Sequence, residues 1–395
     1  MTRPASTPVV VGSPLQLSDI SRVARCGCTA VLDRHARAGL AQTRSQLEQQ
    51  LANGATIYGV NTGFGALHET RIPHDKLATL QLNLLRSHAV GVGTPLARDV
   101  VRALLLLRSH TLALGASGVS PELAEHLVKV LNAGITPRVP CQGSVGASGD
   151  LAPLAHLALV LVGEGFAATP SSECTYIDGA RALAEAGIDP FTLGPKEGLS
   201  LINGTQVMTA IGALALTDAA ELIAACDIIG ALSLDTHLGT VSACDPRIHA
   251  GKAHPGQLAS ASLIRDLIAG SPLNASHRDC KVVQDAYSMR CMPQVHGAVR
   301  GAFAYASQAC EIEVNSFTDN PLVLPRDPDS AEAGFDVLSG GNFHGATIAV
   351  PLDHMTAALT TLATISERRS DRFMNHNSSR GLPAFLADHP GVQSG

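Results

Sequence analysis

The sequence predicts a mainly α protein, a bundle of long helices preceded by a mixed N-terminal part. Three observations carry that prediction. Apolar residues recur at helical spacing over long stretches, at 206–238, 296–313 and 345–372. Shorter stretches of the same kind, 97–113 and 121–133, precede them and are closed by Gly and Pro. The first seventy-five or so residues lack this regularity. No internal repeat and no Pro/Ser-rich linker divides the chain. The reading is therefore an N-terminal part, 1–205, and a central helical bundle, 206–395.

The elements follow in order. Residues 41–52 (AQTRSQLEQQLA) are helix formers that stop at Asn53-Gly54. Residues 55–75 hold Gly59, Gly63 and Gly65 without helical period and read as a loop, of a length that is commonly functional. From 76 the period returns, with Leu77, Leu80, Leu84 and His88 on one face, and the segment Gly91 to Pro95 ends that helix. Pro121 after Ser120 marks a first turn. Residues 134–149 are rich in Gly and Pro, and Asp150 stands at an N-cap position before LAPLAHLALVLVGEG.

Composition bounds the function classes. Of 395 residues 45% are apolar and only 16% charged, which fits a globular chain with much surface buried between subunits. With 13 aromatics and no Trp, the core is Leu, Ala, Val and Ile. A net charge of −6 without a basic block argues against a nucleic-acid surface. The N-terminus has no apolar segment of the secretory kind, and no uninterrupted apolar run reaches about eighteen residues, so the expectation is a soluble, cytoplasmic protein without a membrane role. Nine irregularly spaced Cys, with Cys26 and Cys28 lacking a matching second pair, read as reduced thiols. The sixteen His show no metal-site spacing, and no metal is expected.

The segment GSVGASGD, 143–150, invites a phosphate-loop reading, but no Lys-Ser or Lys-Thr follows, so no nucleotide is expected. The longer string to Leu154 resembles the aromatic amino acid ammonia-lyases and the related aminomutases. The resemblance extends, in family order, to Tyr58-Gly59-Val60-Asn61-Thr62-Gly63-Phe64-Gly65, Ser87-His88, Glu197 through Thr205, Gln284 through Arg290, and Thr318-Asp319-Asn320-Pro321. It covers the chain from about Tyr58 to Gly395. It implies a helical bundle of the ammonia-lyase/fumarase-like type.

The resemblance also implies a chemistry. In the family Ala-Ser-Gly becomes 4-methylidene-imidazol-5-one: the nitrogen of Gly149 would attack the carbonyl of Ala147, and two waters would leave, one of them taking the Ser148 hydroxyl. Glycine suits the nitrogen position because it tolerates strained backbone. Asp150 would cap the next helix or assist cyclisation. Such an electrophile captures the amine of an α-amino acid, and a base must then take the β-proton. Tyr58 matches the family's catalytic tyrosine; a phenol ionises near pH of about 10 in water, so polar neighbours must favour its anion. Tyr287 is the second tyrosine at a matching position. Arg290 would clamp the substrate carboxylate with its planar fork. Gln284, Tyr287 and Arg290, three apart, would share one side of a helical turn. Asn203 would contact amine and carboxylate, and Phe343 would pack near the prosthetic group.

Ser87-His88 resembles the pair in the histidine-specific members, while some tyrosine aminomutases share it. The reading is elimination of ammonia from an aromatic L-amino acid, L-histidine to trans-urocanate first. Tyrosine or phenylalanine elimination, an aromatic 2,3-aminomutase, and a catalytically silent assembly module remain as alternatives. By resemblance the protein is a homotetramer whose sites combine residues of several subunits. The family normally continues past the equivalent of Gly395, and the expectation is that its C-terminal part, with a further specificity residue, is absent here.

Overall fold

The computed structural model describes residues 7–63, 65–67, 69–172, 175–326, 334–389 and 391–393. Phe64, Cys174 and Gly395 lie outside them. The chain forms two compact units: Met1–Leu214 with Ala309–Ala349, and Ala215–Gln308 with Val350–Gly395. The boundaries at 214/215, 308/309 and 349/350 each fall within a long helix, whereas the sequence-based division at 205/206 sits at the start of the first of them and does not return 309–349 to the first unit.

In the first unit, β1 (Val9–Val11) pairs in parallel with β2 (Ala30–Leu32) around α1 (Leu17–Ala24). Then come α2 (Arg34–Ala52), α3 (Leu77–His88), α4 (Arg98–Ala113) and α5 (Pro121–Asn132). Helix α2 begins before residue 41 because Asp33 caps it, accepting from the backbone of His35 (2.8 Å) and Ala36 (2.9 Å). Ser120 caps α5, with Pro121 in its first turn. Gly91–Pro95 does more than end α3: Val92–Pro95 forms β3, antiparallel to β5 (Pro140–Gln142).

Helix α4 is the axis of this unit, buried at every position from Val101 to Ala113 and packed on α1 and α5. A helix apolar on all sides belongs in a core. Its two buried cations have distinct partners. Arg102 donates to Val23 O (2.9 Å) and Leu131 O (3.2 Å), the last-turn carbonyls of α1 and α5, where a cation meets the negative helix end. Arg108 faces the site described below. Strands β4 (Thr136–Pro137), β6 (Phe166–Ala168) and β7 (Ile177–Asp178) form a small antiparallel sheet. Helices α6 (Leu151–Leu161), α7 (Gly179–Glu185) and α8 (Glu197–Ile202) follow, and α6 packs on α3 and α8. Next is α9 (Gln206–Thr236).

The second unit takes α9 from Ala215, then α10 (Pro246–Ala250), α11 (Pro255–Ile268), α12 (Pro272–Ser276), α13 (Tyr287–Arg290) and most of α14 (Met292–Val314). Its interior holds Asp227, which accepts from His296 Nδ1 (2.7 Å), Ser260 Oγ and Arg300 (2.5 Å). The chain returns to the first unit for β8 (Leu322–Pro325), antiparallel to β9 (Phe335–Leu338), and closes in the second with α15 (Ala346–Met374). Glu197–Thr236 and Ala346–Met374 are long and apolar enough to cross a membrane by length and composition, although polar residues interrupt both. Half of the apolar window in the first is buried in the protein, as in a bundle core.

Candidate active site

Gly146–Ser148 form one turn of 3-10 helix, with Ser148 N donating to Val145 O (2.7 Å) and Gly149 N to Gly146 O (3.2 Å). Ala147 and Ser148 are exposed, and Gly149 is buried. Gly149 has φ of 81°, and a Cβ there would stand 2.8 Å from Gly204 O and 3.3 Å from Phe343 O. Only glycine meets both demands. The Phe343 segment is held on the same turn, since Gly345 N donates to Gly146 O (2.9 Å) and Gly345 abuts the Met208 thioether. Phe343 itself is half-buried.

Asp150 is not the cap of α6. It occupies the N-cap position there, but its side chain makes no capping bond to that helix. The carboxylate instead accepts from the backbone of Val207 (2.8 Å) and Met208 (3.1 Å), in the first turn of α9, and from Ser144 Oγ (2.6 Å). Its own N–H donates to Gly204 O (2.8 Å). Burial pushes the Asp150 carboxyl above the usual range, against the pull of Ser144 and the α9 amides. Sequence adjacency to α6 hid this role, because the donors lie 57 and 58 residues away.

Asn203 ends α8 and is 7% exposed. Its Oδ1 is buried without a hydrogen-bond partner among the described residues. The Tyr58 loop owes its shape to its own polar residues. Asn61 Oδ1 accepts from Ile57 N (2.7 Å) and its amide donates to Ala55 O (2.7 Å), while Thr62 Oγ1 accepts from Gly59 N (3.0 Å). Gln81, fully buried on α3, donates to Gly59 O (3.2 Å) and accepts from Leu199 N (3.0 Å), fixing the loop to α8. Sequence reading passed over Gln81; a Gln on the apolar side of α3 was the available signal. Tyr58 is 37% exposed, and Gly65 N points at its hydroxyl (3.5 Å).

His88 ends α3, half-buried. Its Nδ1 lies 2.9 Å from Leu84 O and 3.1 Å from Ser87 Oγ. A carbonyl only accepts, so Nδ1 carries the proton, and in the corresponding neutral tautomer Nε2 is an acceptor. Ser87 thus acts beside His88 by sharing the same carbonyl, at 3.0 Å.

In the second unit, Gln284 does not share a helical turn with Tyr287 and Arg290. Helix α13 starts at Tyr287, and Gln284 lies exposed in the extended segment before it. That segment is anchored by the Asp285 carboxylate, which accepts from Thr240 N (2.7 Å) and Arg380 (2.5 Å). The Arg290 guanidinium lies 4.5 Å from the Tyr287 ring centroid, a cation–π contact, and its Nε is buried without a hydrogen-bond partner among the described residues. Tyr287 is 70% exposed. Among the described residues no cluster of three or more His, Cys, Asp or Glu is placed to hold a metal ion.

The chain is mainly helical and carries a glycine-locked Ala-Ser-Gly turn, and its relatives make it a carbon–nitrogen lyase acting by ammonia elimination. The family model described as "Aromatic amino acid lyase" matches residues 15–395, and the chain belongs to that family. It is 49% identical to the histidine ammonia-lyase of Koribacter versatilis (strain Ellin345) over 391 residues, 98% of this chain and 75% of that protein. Among solved structures it is similar to tyrosine aminomutase from Streptomyces globisporus (TM-score 0.89, 37% identity, 98% of this chain and 75% of that one). It is also similar to histidine ammonia-lyase from Trypanosoma cruzi (TM-score 0.87, 38% identity, 98% of this chain and 71% of that one).

Proposed function

We propose that the protein eliminates ammonia from L-histidine to give trans-urocanate, using 4-methylidene-imidazol-5-one formed from Ala147-Ser148-Gly149. The single observation that carries the prosthetic group is the Gly149 turn, where positive φ and the approach of Gly204 O leave no room for a Cβ. The residues fit the group: Ser148 offers an exposed hydroxyl to lose, and α6 starts immediately after, its positive end favouring electron density drawn toward the turn. That group supplies an electrophilic carbon that turns the substrate amine into a leaving group.

The chain's own residues bind, orient and move the proton. Arg290 clamps the carboxylate with its planar fork, beside the Tyr287 ring. Asn203 Oδ1 accepts from the substrate ammonium. Tyr58 takes the β-proton, Tyr287 and Gln284 complete the polar lining, and Phe343 shields the turn. His88 Nε2 accepts from the imidazole N–H, which is what supports histidine as substrate together with the 49% identical relative. By family likeness the protein works as a homotetramer whose sites draw on several subunits. Its described cysteines are all free thiols, which supports the cytoplasm as its compartment.

The test is ultraviolet detection of the unsaturated acid formed from each aromatic amino acid, alongside intact mass. Urocanate from L-histidine and a mass lower by two waters, about 36 Da, are expected. Preferred turnover of tyrosine or phenylalanine would remove the substrate assignment. A β-amino acid product would replace the lyase with an aminomutase.

A further inference from the structure

The Asn203-Gly204 peptide touches Gly149 on one side and a buried polar network on the other. A Cβ on Gly204 would stand 2.6 Å from Arg108 Nη1 and 2.9 Å from Thr318 Oγ1, with Gln206 Oε1 closer still. Arg108 is fully buried. Its Nη1 donates to Asn203 O (3.0 Å) and Gln206 Oε1 (2.6 Å), and its Nη2 to Ser200 O. Gln206 donates onward to Thr318 Oγ1 (2.6 Å). Lys196 and Asp319, both buried, pair at 2.8 Å, with Ser200 Oγ between them, accepting from Lys196 and donating to Asp319. A buried guanidinium and a buried ion pair are costly, and replacing such groups by apolar residues often stabilises a protein. Their position against one catalytic peptide suggests a use beyond stability.

We propose that Arg108 is a positioning residue: from beside the Lys196–Asp319 pair it holds the Asn203-Gly204 peptide against Gly149. In that role it governs both formation of the electrophile and turnover. The chain of contacts is continuous. Arg108 fixes the Asn203 carbonyl, Gly204 O receives Asp150 N at 2.8 Å, and the same oxygen closes the space above Gly149. Movement of that peptide shifts the Asn203 side chain and opens the turn together. Asp319 stands near enough to oppose the burial that pushes the Arg108 guanidinium down to about 10, so the cation is retained where it grips. This inference rests on the prosthetic-group reading above.

The test compares wild type with Arg108→Lys and Thr318→Val. Helix content and thermal midpoint report folding, intact mass reports conversion, and kcat and KM for L-histidine are counted per converted chain. Arg108→Lys keeps the buried charge but cannot reach three acceptors at once. A fraction of its chains should keep the two waters, and kcat per converted chain should fall about a hundredfold, as for a misplaced catalytic group. Thr318→Val keeps the volume and removes one acceptor, with about a tenfold loss expected in the same direction. A merely structural role would lower the thermal midpoint and leave conversion and kcat intact, which would overturn the proposal. If Arg108→Lys does not fold, Thr318→Val decides by the same criteria. Wild type carrying both waters would instead fell the prosthetic-group reading, and this inference with it.

Discussion

Ser148 carries its hydroxyl on an exposed turn, and nothing in the fold needs that hydroxyl for packing. Ser148→Ala should therefore leave helix content and thermal midpoint unchanged while turnover falls by orders of magnitude; near-normal activity would end the prosthetic-group reading. At His88 the question is specificity. If Nε2 accepts from the substrate ring, His88→Phe leaves that ring unpaired at a cost of about 1–3 kcal/mol. Catalytic efficiency for histidine relative to phenylalanine should then drop roughly ten- to a hundredfold. Unchanged ratios with a lower thermal midpoint would make His88 a packing residue. A third residue sets a pH dependence. His110 is buried, accepts from Gly12 N (3.1 Å) and contacts Asn315 Oδ1 (3.2 Å), and burial lowers it to about 4. The unfolded ring titrates near 6.5, so between those values the unfolded state binds the proton and the folded state does not. Its contribution, roughly 3 kcal/mol, is complete above pH of about 6.5 and lost as pH falls toward about 4. Denaturant unfolding at pH 7 and pH 4.5 should show this, and His110→Gln should flatten the slope.

At the scale of elements, Asp150 joins the catalytic turn to the start of α9. Asp150→Ala would strand the Val207 and Met208 amides at a buried helix end. A loss of about 2 kcal/mol in unfolding free energy is expected; stability equal to wild type would show that water satisfies those amides. The sequence revealed α4, α5, α9, α14 and α15 within a few residues, because their apolar period is long and their ends carry Ser, Pro or Gly signals. It missed α1, α7, α8, α10, α12 and the short strands, whose segments of two to eight residues are too brief for a period to register, and it also missed α11, although that helix runs for 14 residues. It misjudged Gln284 because spacing of three suggests a shared turn without showing where a helix starts, and α13 starts only at Tyr287, after a segment that the Asp285 carboxylate anchors to Thr240 and Arg380.

For the whole molecule, the charged fraction of 16% has a visible counterpart. Leu222, Ile228, Ile229 and Leu232 of α9 are each about half exposed or more, as are Ile312 of α14 and Val350 of α15. Exposed apolar rows on bundle helices mark surfaces that bury against other chains. Sedimentation should show a tetramer, and Leu232→Arg should break it while leaving helix content intact. A stable, fully active monomer would refute the assembly.

The sequence by itself determined the family and the helical class and singled out the Ala147-Ser148-Gly149 segment and the residues proposed around it, because each is a matter of residue type at short spacing. The tertiary structure decided what lies behind them. Gly149 must be glycine because Gly204 O arrives from 55 residues away in sequence, Asp150 caps α9 rather than α6, and Arg108 reaches Asn203 across 95 residues. Such contacts depend on where distant segments meet in the packed core, and periodicity and local spacing carry no record of that.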